Sequence, residues 1–493
     1  MVSALGRAGG GVPEAHNEFG EVVTMKTRGH VLGYVSTALS IVVVVAGCSD
    51  SVTSAPTTRQ VRPTMSRVAD PTVGRHVFVL SGNVPADFAD RVAARGGSIS
   101  SSMSEIGVVV TQGLSDADAT ALAGKDAVAP DYEAQWLPPD EAQLSADLFP
   151  APVDMTSAKP PLRALALSLQ WNMFQIHAPE AWVTKTGIPD VRVAILDTGL
   201  DPDHVDQRGL IDRAASTAFV ASARNAQPAW LDDNTHGTFV GGIVTSNDSV
   251  TAGVAPNVTL IAVKVLDSLG RGFLSNLITG IYYSTVVANA HVINMSLGSA
   301  VPKNVHAPGG PTVLAAMNRV VNFAKSHGVL LVSAAGNEFT DLQHDRNFVQ
   351  LPCEAGVQLC VSATGRDDTH ASYSNFGTSA INVAAPGGDG PAPGSLATWI
   401  VGLCSTHTVD PRLAGCRLPN RNGHILATGT SASAPHVSGL AALLDSQFGG
   451  QLTASKMITL IEQGADDLGK PGADQFFGKG RINVFNTLNT TPP

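Results

Sequence analysis

At 493 residues the chain is too long for one ordinary hydrophobic core, so two or more domains are expected. A hydrophobic fraction of 44% and a charged fraction of 15%, with 49 Gly and 30 Pro, are globular and exclude disordered, collagen-like and coiled-coil classes. The net charge of −10, without a basic cluster, argues against nucleic acid as a partner and suits a soluble exported protein.

Lys26 and Arg28 precede an apolar run from Val31 to Val45, followed by Ala46-Gly47-Cys48. A charged region, a hydrophobic region and small residues in that order form an export signal. The run is too short and too early for a permanent membrane span. Val45-Ala46-Gly47-Cys48 resembles a bacterial lipobox, which implies lipid attachment at Cys48; a plain signal peptide is the alternative. Membrane association is then expected only through this N-terminal lipid. Residues 1–24 fit neither reading, so within the targeting segment 1–48 the true start is placed at Met25 as an alternative. Residues 49–74 read as a linker, rich in Ser, Thr, Pro and Arg.

Residues 75–137 read as a small separate unit. His76–Leu80 is a strand candidate, and Pro85–Arg95 is helical in pattern, with Gly96-Gly97 as its stop. Ser98–Met103 and Ile106–Thr111 are strand-like, and Ser115 caps a second helix running through Leu122. Ala127 begins a last strand, which completes the ferredoxin-like order β-α-β-β-α-β. Residues 138–168 contain Pro138-Pro139, Pro150, Pro152 and Pro160-Pro161 and read as an accessible processing linker.

From Leu169 onward, apolar strands alternate with helices. Strands are expected at Val191–Leu196, Leu260–Val265, Val292–Met295, Val329–Val332, Val361–Ala363 and Ile381–Ala384. Helices are expected behind His236 through Val244, then at Leu274–Val287, Val313–Ser326 and Ser431–Leu444. The alternation predicts an α/β fold with a parallel sheet covered by helices on both faces. Active sites in such sheets form at the carboxyl ends of strands, where Asp197, Ser296 and Ser333 fall. Residues 387–424, rich in Gly and Pro, read as an insertion.

Five cysteines are present. With Cys48 assigned to lipid, Cys353, Cys360, Cys404 and Cys416 remain, and an exported protein meets conditions in which disulfides persist. Four cysteines permit three connectivities; proximity along the chain favours Cys353–Cys360 and Cys404–Cys416.

Three motifs carry the chemistry: Asp197-Thr198-Gly199-Leu200-Asp201, Asn234-Thr235-His236-Gly237-Thr238, and Gly429-Thr430-Ser431-Ala432-Ser433-Ala434-Pro435-His436-Val437-Ser438-Gly439. A serine hydroxyl needs an adjacent base to act as a nucleophile, and Asp, His, Ser is the order found in subtilisin. On these motifs, residues 169–493 resemble the subtilisin-like serine proteases. The resemblance implies a serine endopeptidase in which Asp197 orients His236, His236 takes the proton of Ser431, and Asn337 with the Ser431 N–H receives the oxyanion. It implies that Ser296, Leu297 and Gly298 pair with an extended substrate backbone, and that Ser333, Ala334 and Gly336 line an open, apolar specificity pocket with no acid in it. Placed before such a domain, the small unit at 75–137 resembles the family's inhibitor-type propeptide, which makes the chain an autoprocessed zymogen inhibited by its own N-terminal part. Processing between 138 and 168 would separate mature enzyme from the lipid.

Asp206 matches a position that often binds calcium in relatives, but the partner loop Thr245–Ala252 is short and offers no identifiable ligand set, so no metal site is assigned. The expected partners are protein or peptide substrates, and the expected state is a monomer. The alternative function is a catalytically silent lipoprotein that uses the protease fold for binding. An esterase is disfavoured because Ser433 stands where the Gly-x-Ser-x-Gly elbow needs glycine. The related acid-active group with Glu in place of His is disfavoured by His236.

Overall fold

The computed structural model describes residues 65–67, 74–138, 143–146, 161–223, 227–303, 309–390, 395–417 and 423–490. The targeting segment with Cys48, most of the linker and most of residues 138–160 lie outside the described residues. The chain divides into two compact units, Met1–Thr57 and Thr58–Pro493, and every described residue belongs to the second.

The larger part of that unit is built on a seven-stranded parallel sheet. Its strands lie in the order Val383–Pro386, Leu359–Thr364, Leu330–Ala334, Val292–Met295, Arg192–Asp197, Thr259–Lys264 and Thr217–Ala218. Strands Leu359–Thr364, Leu330–Ala334 and Val292–Met295 are buried along their whole length, which is why they read as continuous apolar runs rather than alternating ones. Helices Leu274–Val286 and Gly310–Ser326 cover one face. Helices His236–Val244 and Thr430–Ser446 cover the other and pack on each other. Gly439 permits that second contact, since a Cβ there would lie 2.7 Å from Val254 Cβ and 3.2 Å from the Val244 carbonyl oxygen. Expected and observed element limits differ by a few residues at the ends, where fraying and capping decide.

Residues 76–130 follow the order β-α-β-β-α-β. Strands His76–Val79, Ser98–Met103, Val108–Gln112 and Ala127–Pro130 form an antiparallel sheet with helices Phe88–Ala93 and Asp116–Ala123. Ser115 caps the second helix by accepting from Asp118 N–H at 3.0 Å. One face of this sheet closes over its own helices around Phe78, Phe88 and Leu122. The other lies on the large domain, where Val77, Val79, Val108 and Val110 share a core with Val313, Met317 and Val320. Asp131 then supplies the N-terminal cap that helix Leu274–Val286 lacks, accepting Ser275 N–H at 3.1 Å, with Arg75 beside it at 3.0 Å.

Residues 138–168 are not all loop. Gln143–Ala146 forms a strand antiparallel to His424–Ala427, and Pro161–Arg163 is a 3₁₀ turn. The insertion likewise holds a strand, Ile400–Leu403, paired with His424–Ala427, so His424–Ala427 is flanked by strands on both sides. These short strands have no sequence period of their own; they exist because a partner edge is available.

Candidate active site

Asp197 ends its strand at the carboxyl edge of the sheet and is fully buried. Thr198 N–H donates to its Oδ1 at 2.7 Å. His236 opens the helix His236–Val244 and is 1% exposed; its Nδ1 lies 2.8 and 3.0 Å from the two Asp197 oxygens. A carboxylate only accepts, so Nδ1 carries the hydrogen and Nε2 is the basic nitrogen.

Asp232 holds the turn that aims this imidazole. Its carboxylate accepts from Thr198 Oγ1 at 2.8 Å, from the N–H groups of Thr235 and Thr238 at 2.9 and 2.8 Å, and from Thr238 Oγ1 at 2.6 Å. Burial raises the Asp232 carboxyl above the usual carboxylate range despite these bonds and the charge of Lys264. Thr235, next to His236, sits at φ +127°, a region that L-residues rarely occupy. The insertion restrains it: Ser405 N–H donates to Thr235 Oγ1 at 3.1 Å, and Cys404 Sγ lies 3.5 Å from the same oxygen.

Ser431 is the second residue of helix Thr430–Ser446 and is 5% exposed. Pro435 falls four residues later and has no N–H for the Ser431 carbonyl. Ser296 Oγ donates to that oxygen instead, at 2.9 Å. Asn337 Oδ1 accepts from both Thr430 N–H and Thr430 Oγ1, at 2.9 and 2.8 Å, which leaves the amide nitrogen end for another acceptor.

Leu297, Gly298, Ala334, Gly336, Asn337, Thr430 and Ser431 line one pocket, so two of the expected segments meet at Thr430 and Ser431. Ser333 is not among these lining residues; its hydroxyl is buried and donates to Gln358. Nor is the pocket purely apolar. Glu338 and Gln350 also line it, and a Cβ on Gly298 would come within 2.7 Å of Gln350 Nε2. Glu338 directly follows Asn337 in sequence and was findable there. Gln350 arrives on strand Phe348–Leu351, and nothing in the sequence pointed to it.

Residues 189–480 match the Subtilase family. The chain belongs to that family. It is 31% identical to thermitase of Thermoactinomyces vulgaris over 324 residues, covering 65% of this chain and 96% of the relative. It is 33% identical to subtilisin E of Bacillus subtilis (strain 168), covering 65% of this chain and 71% of that one. Among solved structures it resembles a lanthipeptide protease, with TM-score 0.57 and 27% identity, over 67% of this chain and 97% of that one. The epidermin leader peptide processing serine protease of Staphylococcus aureus shares the fold, with TM-score 0.65 and 22% identity, over 85% of this chain and 98% of that one. The chain is therefore a subtilisin-like serine endopeptidase acting on proteins or peptides.

In this subtilase two disulfides form, Cys353–Cys360 and Cys404–Cys416. The second closes the insertion, whose Val409, Asp410, Pro411 and Arg412 wall a cavity of about 550 Å³ together with Asn234, Leu269 and Leu137.

Asp206 meets nitrogen donors rather than a calcium shell. The N–H groups of Ser249, Val250 and Thr251 each donate to it at 3.0 Å, and Thr251 Oγ1 donates at 3.1 Å. Burial opposes its ionisation, but His424, His204 and the Thr251 N–H hold its carboxyl below the usual range. Asp248, pushed up to about 9 by burial and by the Asp206 charge, is protonated at neutral pH. Calcium needs six to eight oxygen ligands, and this donor set does not fit it. Asp201, Asp203 and His407 also lie within metal-binding reach of one another. There the His407 ring pairs with Asp203 and Asp201 at 3.2 and 3.4 Å, and the Asp201 bond first, against burial, pushes the imidazole up to about 9. Among the described residues no helix is long and apolar enough to cross a membrane.

Proposed function

We propose that this endopeptidase works through Asp197, His236 and Ser431. His236 takes the Ser431 proton as Oγ attacks the scissile carbonyl, then gives it to the leaving amine, while Asp197 holds the ring and its charge. Asn337 Nδ2 and the Ser431 N–H receive the oxyanion. Leu297, Gly298 and the Ser296 backbone hold substrate as an added strand, and Ala334 and Gly336 border the main side-chain pocket, with Ser333 behind them. The observation that carries this reading is the buried His236–Asp197 contact of 2.8 Å, and the pocket that Ser431 shares with Asn337 supports it. The reaction as proposed uses no metal.

The chain is made as an exported zymogen, in this reading. Residues 1–48 direct export and Cys48 takes lipid; residues 75–137 fold as an inhibitor; a cut between 138 and 168 releases a monomeric mature enzyme from the anchor. Support for the inhibitor role comes from Tyr132–Gln135, which pairs with Arg271–Phe273 and leads into Trp136 and Pro138, both of which line the pocket that holds Ser431.

The test is casein hydrolysis and labelling by a fluorophosphonate probe, for the protein after limited proteolysis and for its Ser431→Ala variant. Labelling and hydrolysis that vanish together in the variant support the triad. A native, trimmed protein that does neither replaces it with the silent lipoprotein.

A further inference from the structure

The insertion that carries Cys404 and Cys416 does more than restrain Thr235. Ser405 Oγ donates to the Asp232 carbonyl at 2.6 Å, Thr408 Oγ1 to the Asn234 carbonyl at 2.6 Å, and Val409 N–H to the Asp233 carbonyl at 2.8 Å. Residues 409–412 are therefore fixed to the segment that leads directly into His236. They line the cavity of about 550 Å³ together with Ser268, Leu269 and Arg271 from a second segment. Asn234 is bonded to both segments, since its Nδ2 also donates to the Ser268 carbonyl at 2.9 Å. The second segment is a backbone edge as well. The Gly270 carbonyl accepts Leu137 N–H at 3.2 Å, Gly298 N–H donates to the Trp136 carbonyl at 3.1 Å, and Leu137 lines the cavity. An extended chain laid along Gly270 and Gly298 thus brings a side chain to this cavity.

Two guanidinium groups line it, and both are already engaged. Arg271 gives Nε and Nη2 to Asp267 Oδ2 at 3.2 and 2.9 Å, and Arg412 gives Nε and Nη2 to Asp410 Oδ2 at 3.0 and 2.8 Å. Each charge is balanced and each plane is held by a carboxylate, so what a guanidinium offers a ligand here is its flat face. Their side chains are 44% and 64% exposed, so those faces are accessible. Leu269, 59% exposed, adds apolar surface with Val409 and Pro411.

We propose that the insertion builds a substrate subsite here, which takes an aromatic side chain from a residue on the N-terminal side of the cut bond. Aromatic rings bury the largest apolar area of any side chain and stack on guanidinium planes, and both surfaces are present. A small aliphatic side chain would leave most of the volume unfilled. A substrate carboxylate would have to displace Asp267 or Asp410 from its arginine. The inference rests on the proposed reading of Ser431 as nucleophile with substrate held as an added strand.

The experiment uses the full chain after limited proteolysis, with Arg412→Ala, Arg412→Lys and Val409→Asp variants. Each is given a peptide library varied at the four positions before the cut, and fragments are read by mass spectrometry. In the wild type, Phe, Tyr or Trp at one of these positions raises kcat/KM over Ala on the order of 10- to 100-fold. Arg412→Ala lowers that ratio by about two- to fivefold. Arg412→Lys does not restore it, because an ammonium has no planar face. Val409→Asp lowers it further by placing a charge beside the ring, and the exposed Arg412 variants still decide the question where Val409→Asp fails to fold. An aromatic ratio that Arg412→Ala leaves unchanged, a full ratio in Arg412→Lys, or a preference for Asp and Glu overturns the proposal. A native, trimmed wild type that cuts no peptide and takes no fluorophosphonate label overturns the nucleophile reading itself, and the subsite with it.

Discussion

Ser296 Oγ donates to the Ser431 carbonyl at 2.9 Å, filling the position that Pro435 leaves empty in the helix ladder. The same hydroxyl accepts from Asn294 Nδ2 at 2.9 Å, and Asn294 Oδ1 accepts from Ser438 at 2.8 Å, so the segment Asn294–Ser296 is tied at both ends to the helix that carries Ser431. Ser296→Ala leaves a buried carbonyl without a donor, which costs about 1–3 kcal/mol. Urea unfolding in a Ser431→Ala background, where self-digestion is absent, measures that loss. In the active enzyme the same change lowers kcat, because the carbonyl it frees belongs to Ser431.

Thr430 orients Asn337 twice, through its backbone and through its hydroxyl. Asn337→Leu removes the proposed oxyanion donor and lowers kcat by about 10²–10³. Thr430→Val keeps the backbone bond and loses the hydroxyl, so its kcat falls by about tenfold, within the cost of modest misplacement. KM stays within about twofold for both, since ground-state contacts are untouched. Equal losses in the two variants, or losses confined to KM, would contradict this division of labour.

The two disulfides are not equivalent. Cys404–Cys416 borders Thr235, and through it His236. Cys404→Ser/Cys416→Ser costs about 2–4 kcal/mol of stability, and it lowers kcat as well, because Thr235 is then less restrained at its positive φ. Cys353–Cys360 lies in a separate cluster with Ala335, Leu342 and Ile381. Its removal is expected to lower the melting temperature with a smaller effect on kcat. Paired melting curves and steady-state kinetics distinguish the two.

His436 makes the fold acid-sensitive. Its Nδ1–H donates to the Ala432 carbonyl at 2.7 Å, and its Nε2 accepts from Asn172 Nδ2 at 2.8 Å. Burial pushes its imidazole down to about 4. The unfolded chain takes up this proton near pH 6.5 and the folded one only near 4, so the unfolded state binds more protons in between. Stability is unaffected by this group above pH 6.5 and falls as pH drops through that window, by roughly 3 kcal/mol in all. Burial also lowers His204, which adds a slope of the same sign. Chemical unfolding of the Ser431→Ala protein between pH 7 and 4.5, with and without His436→Gln, isolates the His436 part as the difference in slope.

Much was legible in the chain because it is local. Asp197 follows an apolar run that can only be a buried strand, His236 begins a helix, and Ser431 lies in a small-residue turn; each signal occupies fewer than a dozen residues. The cysteine pairs were legible for the same reason, being 7 and 12 residues apart. The α/β class followed from the alternation of those runs.

Tertiary structure decided the rest, and contact across long sequence separations is the reason. Gln350 reaches the pocket only because Phe348–Leu351 pairs with Ser299–Pro302, and no periodicity encodes that pairing. Asp206 spends its charge on the N–H groups of a loop more than forty residues away, which its own neighbourhood in sequence does not show. Trp136 reads as the end of one domain and Pro138 as the start of a linker; their place in the pocket with Ser431 follows on the pairing of Gln135 with Arg271. A residue's chemistry and its local backbone preference are written in the sequence, whereas which charge, amide or strand comes to face it is settled when distant segments share one core.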